Sequence, residues 1–256
     1  MAADPDTTRG EHLPSAREVG AYFDGLYAAL AASPTHDLLS REALGDDWFG
    51  QLGYAGIGDL DRLARAVSAA PGREVLDLCC GTGGVAAWLQ ARTGARVTGV
   101  DCAAQALRIR QSLAHSKAAL VAGDVGSLPF ATASFDGAFC IDGFSYDAGA
   151  MAQDASRVLR PGGQFALLVS LAGDAQGEVR DALTDAGFEH VTFEPCQREA
   201  IPLMEAWLAG FRRHAAAHIA EVGERYHHSV TGEIERLLRE YAAGSAIRAF
   251  VSAVRP

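Results

Sequence analysis

Lysine is nearly missing from this chain. Lys117 is its one example, set against 32 acidic residues and a formal net charge of −10. Arginine supplies the remaining basic side chains, and no stretch gathers them into a basic stripe. A nucleic-acid partner is therefore disfavoured, because phosphate contacts usually carry most of that affinity. Long apolar runs are also missing. No segment approaches the ~20 apolar residues of a membrane span. The acidic N-terminus has no apolar core of a signal peptide, so residues 1–15 read as a disordered leader and the protein as cytoplasmic. Five cysteines make an odd number without C-x-x-C spacing, the pattern of reduced, mostly buried thiols. Cys79 and Cys80 are adjacent, which makes a poor metal clamp. No internal repeat or low-complexity linker interrupts the chain.

The most informative stretch is Glu74 to Gly84, EVLDLCCGTGG. Val75, Leu76 and Leu78 form the short apolar run of a buried strand. Gly81, Gly83 and Gly84 follow, and Val85 to Leu89 begin a helical run. A strand that breaks into glycines and opens a helix is a nucleotide-binding turn, since bare backbone and free N–H groups then face the ligand. The turn by itself also fits the G-x-G-x-x-G/A dinucleotide pattern, with Asp101 about 20 residues on, where an NAD ribose-binding acid would lie. Asp77 argues the other way, because dinucleotide sites usually carry an apolar or glycine residue there.

Strands are expected at 74–78, 96–100, 119–122, 136–141, 164–170, 188–193 and 247–255, with helices at 84–93, 103–114, 148–158 and 177–186 between them. This alternation implies right-handed crossovers and a mostly parallel sheet. Ahead of it, Val19, Tyr22, Phe23, Leu26, Tyr27 and Leu30 stripe one helix ended by Ser33-Pro34. A second helix runs from Asp59 to Ala69, with Leu60, Leu63 and Val67 inward. Residues 200–243 exceed the minimal alternation and are amphipathic and helix-rich. They read as a lid over the sheet's carboxyl edge, where open α/β sheets bind ligands, with Trp207 and Phe211 toward the acceptor. The same helices could instead serve as a packing or homodimer pair.

With Asp77, Asp124 in GDVGSLPF, FDGAFCID (Phe135 to Asp142) and LRPGG (Leu159 to Gly163), the glycine turn resembles the class I S-adenosylmethionine-dependent methyltransferases of the small-molecule branch. The likeness is strong from Arg73 to about Ser170. It implies an α/β fold: a Rossmann-like, mostly parallel seven-stranded sheet with helices on both faces and an antiparallel last strand. The expected division is a helical cap at 16–70, a cofactor-binding core at 71–199, a lid at 200–244 and a final strand at 245–256. The implied cofactor is S-adenosylmethionine, and the implied partner a small-molecule methyl acceptor, with no nucleic acid, membrane or metal.

The resemblance also assigns residues. Gly81 and Gly83 let backbone pass close to the cofactor. Asp77 receives its ammonium, Asp101 its ribose hydroxyls, Asp124 the adenine amino group and Val125 the ring. Cys102 packs on adenine, and Cys140 with Ile141 lines the wall near the sulfonium. Tyr54 is placed to reach the cofactor carboxylate, with Tyr22 as the other candidate. In the loop after the fourth strand, Asp142 and then Tyr146 are the catalytic candidates for orienting the acceptor or taking its proton. His214 and His218 lie one helical turn apart but lack a third ligand. Two alternatives remain at this point: a protein that binds the cofactor without methyl transfer, as a cyclase would, and an NAD-dependent oxidoreductase.

Overall fold

The computed structural model describes residues 16–48, 50, 53–111, 118–144 and 148–256. The expected leader at 1–15 and Tyr146 lie outside the described residues. Seven strands form one sheet: β1 (Glu74–Leu78), β2 (Arg96–Asp101), β3 (Ala119–Ala122), β4 (Phe135–Ile141), β5 (Leu159–Ala172), β6 (Glu189–Pro195) and β7 (Ala246–Val254). Their spatial order is β3-β2-β1-β4-β5-β7-β6. The first five are parallel neighbours, and β7 runs antiparallel to both β5 and β6.

The helices are α1 (Ala16–Ala31), α2 (Pro34–Leu44), α3 (Ile57–Ala66), α4 (Gly84–Thr93), α5 (Ala104–Gln111), α6 (Ala148–Val158), α7 (Ala175–Asp185), α8 (Gln197–Arg213), α9 (Ala215–Val222) and α10 (Glu224–Ala243). Ser33-Pro34 ends α1 and also starts α2. Ser33 caps the new helix by accepting the His36 N–H at 2.9 Å, with Pro34 in its first turn. Sequence reading took Ser33-Pro34 only as a helix end, so α2 was not among the expected helices.

Side chains alternate across β1, so each face of the sheet gains its own core. Leu76 and Leu78 pack with Met151, Ala155 and Val158 of α6 and Val179 and Leu183 of α7. Val75 packs with Leu60 and Leu63 of α3 and Ala86 and Leu89 of α4. A third cluster joins Leu39 of α2, Met204, Trp207 and Phe211 of α8, and Ile234 and Leu237 of α10. A fourth, smaller cluster joins Tyr22, Leu26 and Leu30 of α1 to Val222 of α9, so the inserted and N-terminal helices pack on one another beside the sheet. Close approach is built in: a Cβ at Gly25 of α1 would collide with the Tyr226 hydroxyl of α10, and one at Gly20 would lie 2.9 Å from the Cys102 carbonyl oxygen.

Candidate active site

The carboxyl ends of β1, β2 and β4 open into a cavity of about 190 Å³. From the sheet come Asp77, Gly81, Asp101, Cys102, Ile141 and Asp142. α1 adds Tyr22, Phe23, Leu26 and Tyr27. The remaining wall includes His36 of α2, Tyr54, Trp207 of α8, and Ser229, Val230 and Glu233 of α10. Cys79 and Asp142, the residues after β1 and β4, both hold left-handed backbone without being glycine (φ 57° and 59°). Such strain persists only where the surroundings over-determine it, and it clusters at functional sites.

Asp77 is 3% exposed and sits where the β1 backbone turns toward α4. Burial pushes its carboxyl well above the ordinary range, the charge of Asp101 pushes the same way, and the Ala86 N–H in the first turn of α4 opposes them. Its Oδ2 has no hydrogen-bond partner. A buried carboxylate oxygen left unpaired is costly, and a cation in the cavity would relieve it. Asp101, at the end of β2, accepts the Gly81 N–H on Oδ2 and the Ala103 N–H on Oδ1, each at 2.8 Å. It therefore ties the glycine turn to α5. A carboxylate has about four lone-pair sites, so each oxygen keeps acceptor capacity toward the cavity. Burial raises the Asp101 carboxyl, and those N–H bonds act against the rise.

Tyr54 donates its hydroxyl to Glu233 Oε2 at 3.1 Å and its backbone N–H to Asp142 Oδ2 at 3.3 Å. Burial, followed by the charge of Glu233, pushes the phenol well above its usual value. Asp142 is gripped by Arg248 of β7 through two bonds, 2.7 Å to Oδ1 and 3.1 Å to Oδ2. Arg248 also donates to Ser170 at 3.2 Å, and Ser170 bonds the Tyr241 hydroxyl at 2.6 Å. Arg248 is fully buried. Burial works against its charge, but Asp142 outweighs that and raises its proton affinity. With both oxygens engaged, Asp142 is built as the anchor of this network, a geometry that suits positioning better than proton acceptance.

Some assigned residues fall off this wall. Cys140 is fully buried in the core on the opposite face of β4 from Ile141, because consecutive strand side chains alternate. Gly83 is the cap of α4 with φ 76°, and a Cβ there would meet Leu120 at 2.6 Å, so its requirement is packing. Asp124 Oδ1 accepts the Gly126 N–H at 2.9 Å in the turn after β3, and Val125 packs against the core. Neither is among the described lining residues. Phe211 lies fully buried behind Trp207. His214 bonds Glu42 at 3.3 Å while His218 turns inward to His227 at 3.0 Å, so the two do not act as a pair.

Three residues escaped sequence reading. Arg248 is a charge inside an otherwise apolar strand, which was its signal. Glu233 had none, being one acid among several on an amphipathic helix. His36 directly follows the Ser-Pro-Thr helix start and is 3% exposed with both ring nitrogens unpartnered. Burial, then the neighbouring His218, lowers its pKa to about 4.

Residues 75–163 match the methyltransferase domain family. The O-methyltransferase resE of Aspergillus sclerotiorum is 31% identical over 207 residues, 73% of this chain and 76% of that protein. The chain belongs to the class I S-adenosylmethionine-dependent methyltransferases. Methyltransferase GfsG of Streptomyces halstedii is 31% identical over 158 residues, and the match spans 57% of its length. Two solved structures share the methyltransferase fold at low identity. The [4+2]-cyclase SpnF superposes with a TM-score of 0.74 at 19% identity, covering 96% of this chain and 98% of that one. The phosphoethanolamine N-methyltransferase 2 of Haemonchus contortus, bound to phosphomonomethylethanolamine and S-adenosylhomocysteine, gives 0.71 at 17%, covering 87% and 57%. The sheet order is that of the methyltransferase fold, and the glycine turn and the unpaired acid near the end of β1 lie at its carboxyl edge. Among the described residues no helix is long and apolar enough to cross a membrane.

Proposed function

We propose that this methyltransferase moves the methyl group of S-adenosylmethionine to a small acceptor that carries no anionic group. One observation supports the reading above the others. Four acidic side chains, Asp77, Asp101, Asp142 and Glu233, face the cavity; Arg248 behind the wall offsets Asp142, and no lysine or arginine is among the described lining residues. Such a wall favours the ammonium and sulfonium of the cofactor and repels phosphate. The Haemonchus neighbour is bound to a phosphorylated acceptor. Here the aromatic and aliphatic side chains of α1, with Trp207 and Val230, suit an apolar one.

When bound, S-adenosylmethionine supplies an electrophilic methyl on a sulfonium. Asp77 would hold the ammonium on its unpaired oxygen. Asp101 would accept ribose hydroxyls on its remaining lone pairs, while its bonds to Gly81 and Ala103 keep the turn in place. Gly81, with φ 54°, sets bare backbone on the cavity wall, where a Cβ would press on the Tyr27 hydroxyl at 3.3 Å. The Asp142–Arg248 pair fixes the β4 end and Tyr54 on one side of the cavity. α1, α8 and α10 would roof it and exclude water.

Thermal shift with S-adenosylmethionine, S-adenosylhomocysteine and NAD tests the site. A ligand present at 100 times its dissociation constant stabilises by about 2.7 kcal/mol. The expected result is stabilisation by the first two and none by NAD. Stabilisation by NAD alone would overturn the reading. Because a cyclase shares the fold, release of S-adenosylhomocysteine during turnover must follow as proof of transfer.

A further inference from the structure

The wall of the cavity away from the glycine turn carries unpaired polar atoms that the cofactor does not explain. His36 Nδ1 and Nε2 and Trp207 Nε1 are all buried without hydrogen-bond partners. Both residues line the cavity, and their rings meet edge to face with centroids 5.9 Å apart. Buried polar groups are almost always paired, so an indole donor beside an imidazole, both facing one cavity, is a site awaiting a polar ligand atom. An indole N–H can only donate. A neutral imidazole donates from one nitrogen and accepts on the other. A hydroxyl satisfies both rings through a single atom, accepting from the indole and donating to the imidazole.

We propose that His36 and Trp207 form the acceptor subsite, that the acceptor is a neutral hydroxylated molecule, and that His36 takes the hydroxyl proton during O-methylation. The inference rests on the methyl-transfer reading and goes beyond it. The Trp207 N–H donates to the hydroxyl oxygen and holds it. That oxygen forms a bond to the methyl carbon as the carbon–sulfur bond breaks, leaving its electron pair on sulfur. The O–H proton passes to the free nitrogen of His36, which releases it to water when the product leaves.

The surroundings hold the His36 ring in place and keep it neutral. Trp48, Trp207 and Phe211 pack around its ring, with centroids 6.1, 5.9 and 6.1 Å away, and His218 of α9 stands at 5.8 Å. Burial and His218 disfavour the imidazolium, while Asp37 on its own helix favours it. Glu221 of α9 is held by Ser33 and Thr35, and Glu233 faces the same cavity from α10. The balance leaves a neutral ring with a free lone pair at neutral pH.

Probe binding to protein saturated with S-adenosylhomocysteine tests the subsite without turnover. The probes are 2-naphthol, naphthalene and 2-naphthyl phosphate, measured by calorimetry against wild type, His36→Ala, His36→Gln and Trp207→Phe. Wild type should bind 2-naphthol at least about tenfold more tightly than naphthalene, the discrimination of one well-made hydrogen bond. It should bind the phosphate more weakly than the naphthol. Trp207→Phe and His36→Ala should lose the hydroxyl preference while keeping their affinity for S-adenosylhomocysteine. With S-adenosylmethionine, wild type should methylate 2-naphthol. His36→Gln, which can still accept a hydrogen bond, should keep KM within a few fold and lose kcat by about 100-fold, the range of general-base catalysis. Equal affinity for naphthol and naphthalene, tighter binding of the phosphate, or no naphthol binding or methylation by cofactor-competent wild type would overturn the proposal. So would unchanged kcat in His36→Gln. A protein that fails to bind S-adenosylhomocysteine would strike the cofactor reading instead.

Discussion

Arg248 reaches from the antiparallel strand β7 to Asp142 at the end of parallel strand β4 and holds both of its carboxylate oxygens, at 2.7 and 3.1 Å. The guanidinium is fully buried, while the Asp142 side chain is 24% exposed on the cavity side. The pair therefore ties the last strand of the chain to the wall of the active site. It also fixes Tyr54, whose backbone N–H bonds the same carboxylate.

Removing Asp142 should leave a buried guanidinium without its counter-charge. Asp142→Asn is expected to destabilise the fold by about 3–5 kcal/mol, the usual cost of breaking one side of a buried pair. Urea unfolding measures it. The double variant Asp142→Asn with Arg248→Met should recover much of the loss. A single variant as stable as wild type would show that the pair is not holding the strand ends together.

Asp77 should separate stability from binding. Asp77→Asn removes a buried charge that lacks a partner on Oδ2 and stands near Asp101. The apo protein should become more stable at neutral pH, by about 1 kcal/mol or more, while affinity for S-adenosylmethionine falls. The sign follows from the raised carboxyl pKa. The folded state binds that proton more tightly than the unfolded state, so the wild-type penalty grows as pH rises above the ordinary carboxylate value. The gain in melting temperature should accordingly be larger at pH 7 than near pH 4. A variant less stable at both pH values would refute the strain argument.

The two glycines of the turn should fail in different ways. Gly81→Val is strained by the left-handed backbone and sets its side chain against Tyr27 on the cavity wall, so cofactor affinity should be lost beyond any loss of stability. Gly83→Ala would press Cβ into Leu120 in left-handed backbone, so the first loss there should be in folding stability. Calorimetry and thermal melting on both proteins distinguish the outcomes. Equal cofactor affinity in folded Gly81→Val would mean that the ligand lies elsewhere.

Asp101→Ala should weaken cofactor binding by about 1.5–3 kcal/mol, the scale of hydrogen bonds to a charged group. It should also loosen the turn, because Gly81 and Ala103 lose their acceptor. Calorimetry with S-adenosylhomocysteine checks the first effect, and amide exchange at Gly81 checks the second. Unchanged affinity would reject the ribose assignment.

Acid should expose the buried histidines. His36 and His218 both have folded pKa values near 4, against an ordinary value of 6.5. For each, the unfolded chain takes up a proton first as pH falls. Their contribution to stability is thus full above about 6.5 and is lost toward 4, with a slope of up to about 1.4 kcal/mol per pH unit per histidine. His218→Phe should flatten that part of the stability–pH curve. An identical curve in the variant would show that His218 does not titrate with folding.

The sequence by itself determined the sheet. Apolar runs of strand length and a glycine turn opening α4 are local signals, read from residues a few positions apart. Asp77 and Asp101 were legible as acids at the carboxyl edge for the same reason, Asp101 ending its strand and Asp77 lying one residue before the end of its own. Gly83 was assigned to the cofactor, but the Leu120 side chain of β3 packed against it gives it a different, tertiary reason. Tertiary structure decided the rest of the site. Trp207 was named from its helix, but His36 and Glu233 come from two other helices, and no spacing rule links either to it. The grip of Arg248 on Asp142 spans 106 positions, so the sequence named Asp142 for orienting the acceptor or taking its proton without showing the cation that holds it. Periodicity tells which face of a helix is buried, but only packing decides whether that face meets solvent-free core, as Phe211 does, or the wall of a cavity, as Trp207 does.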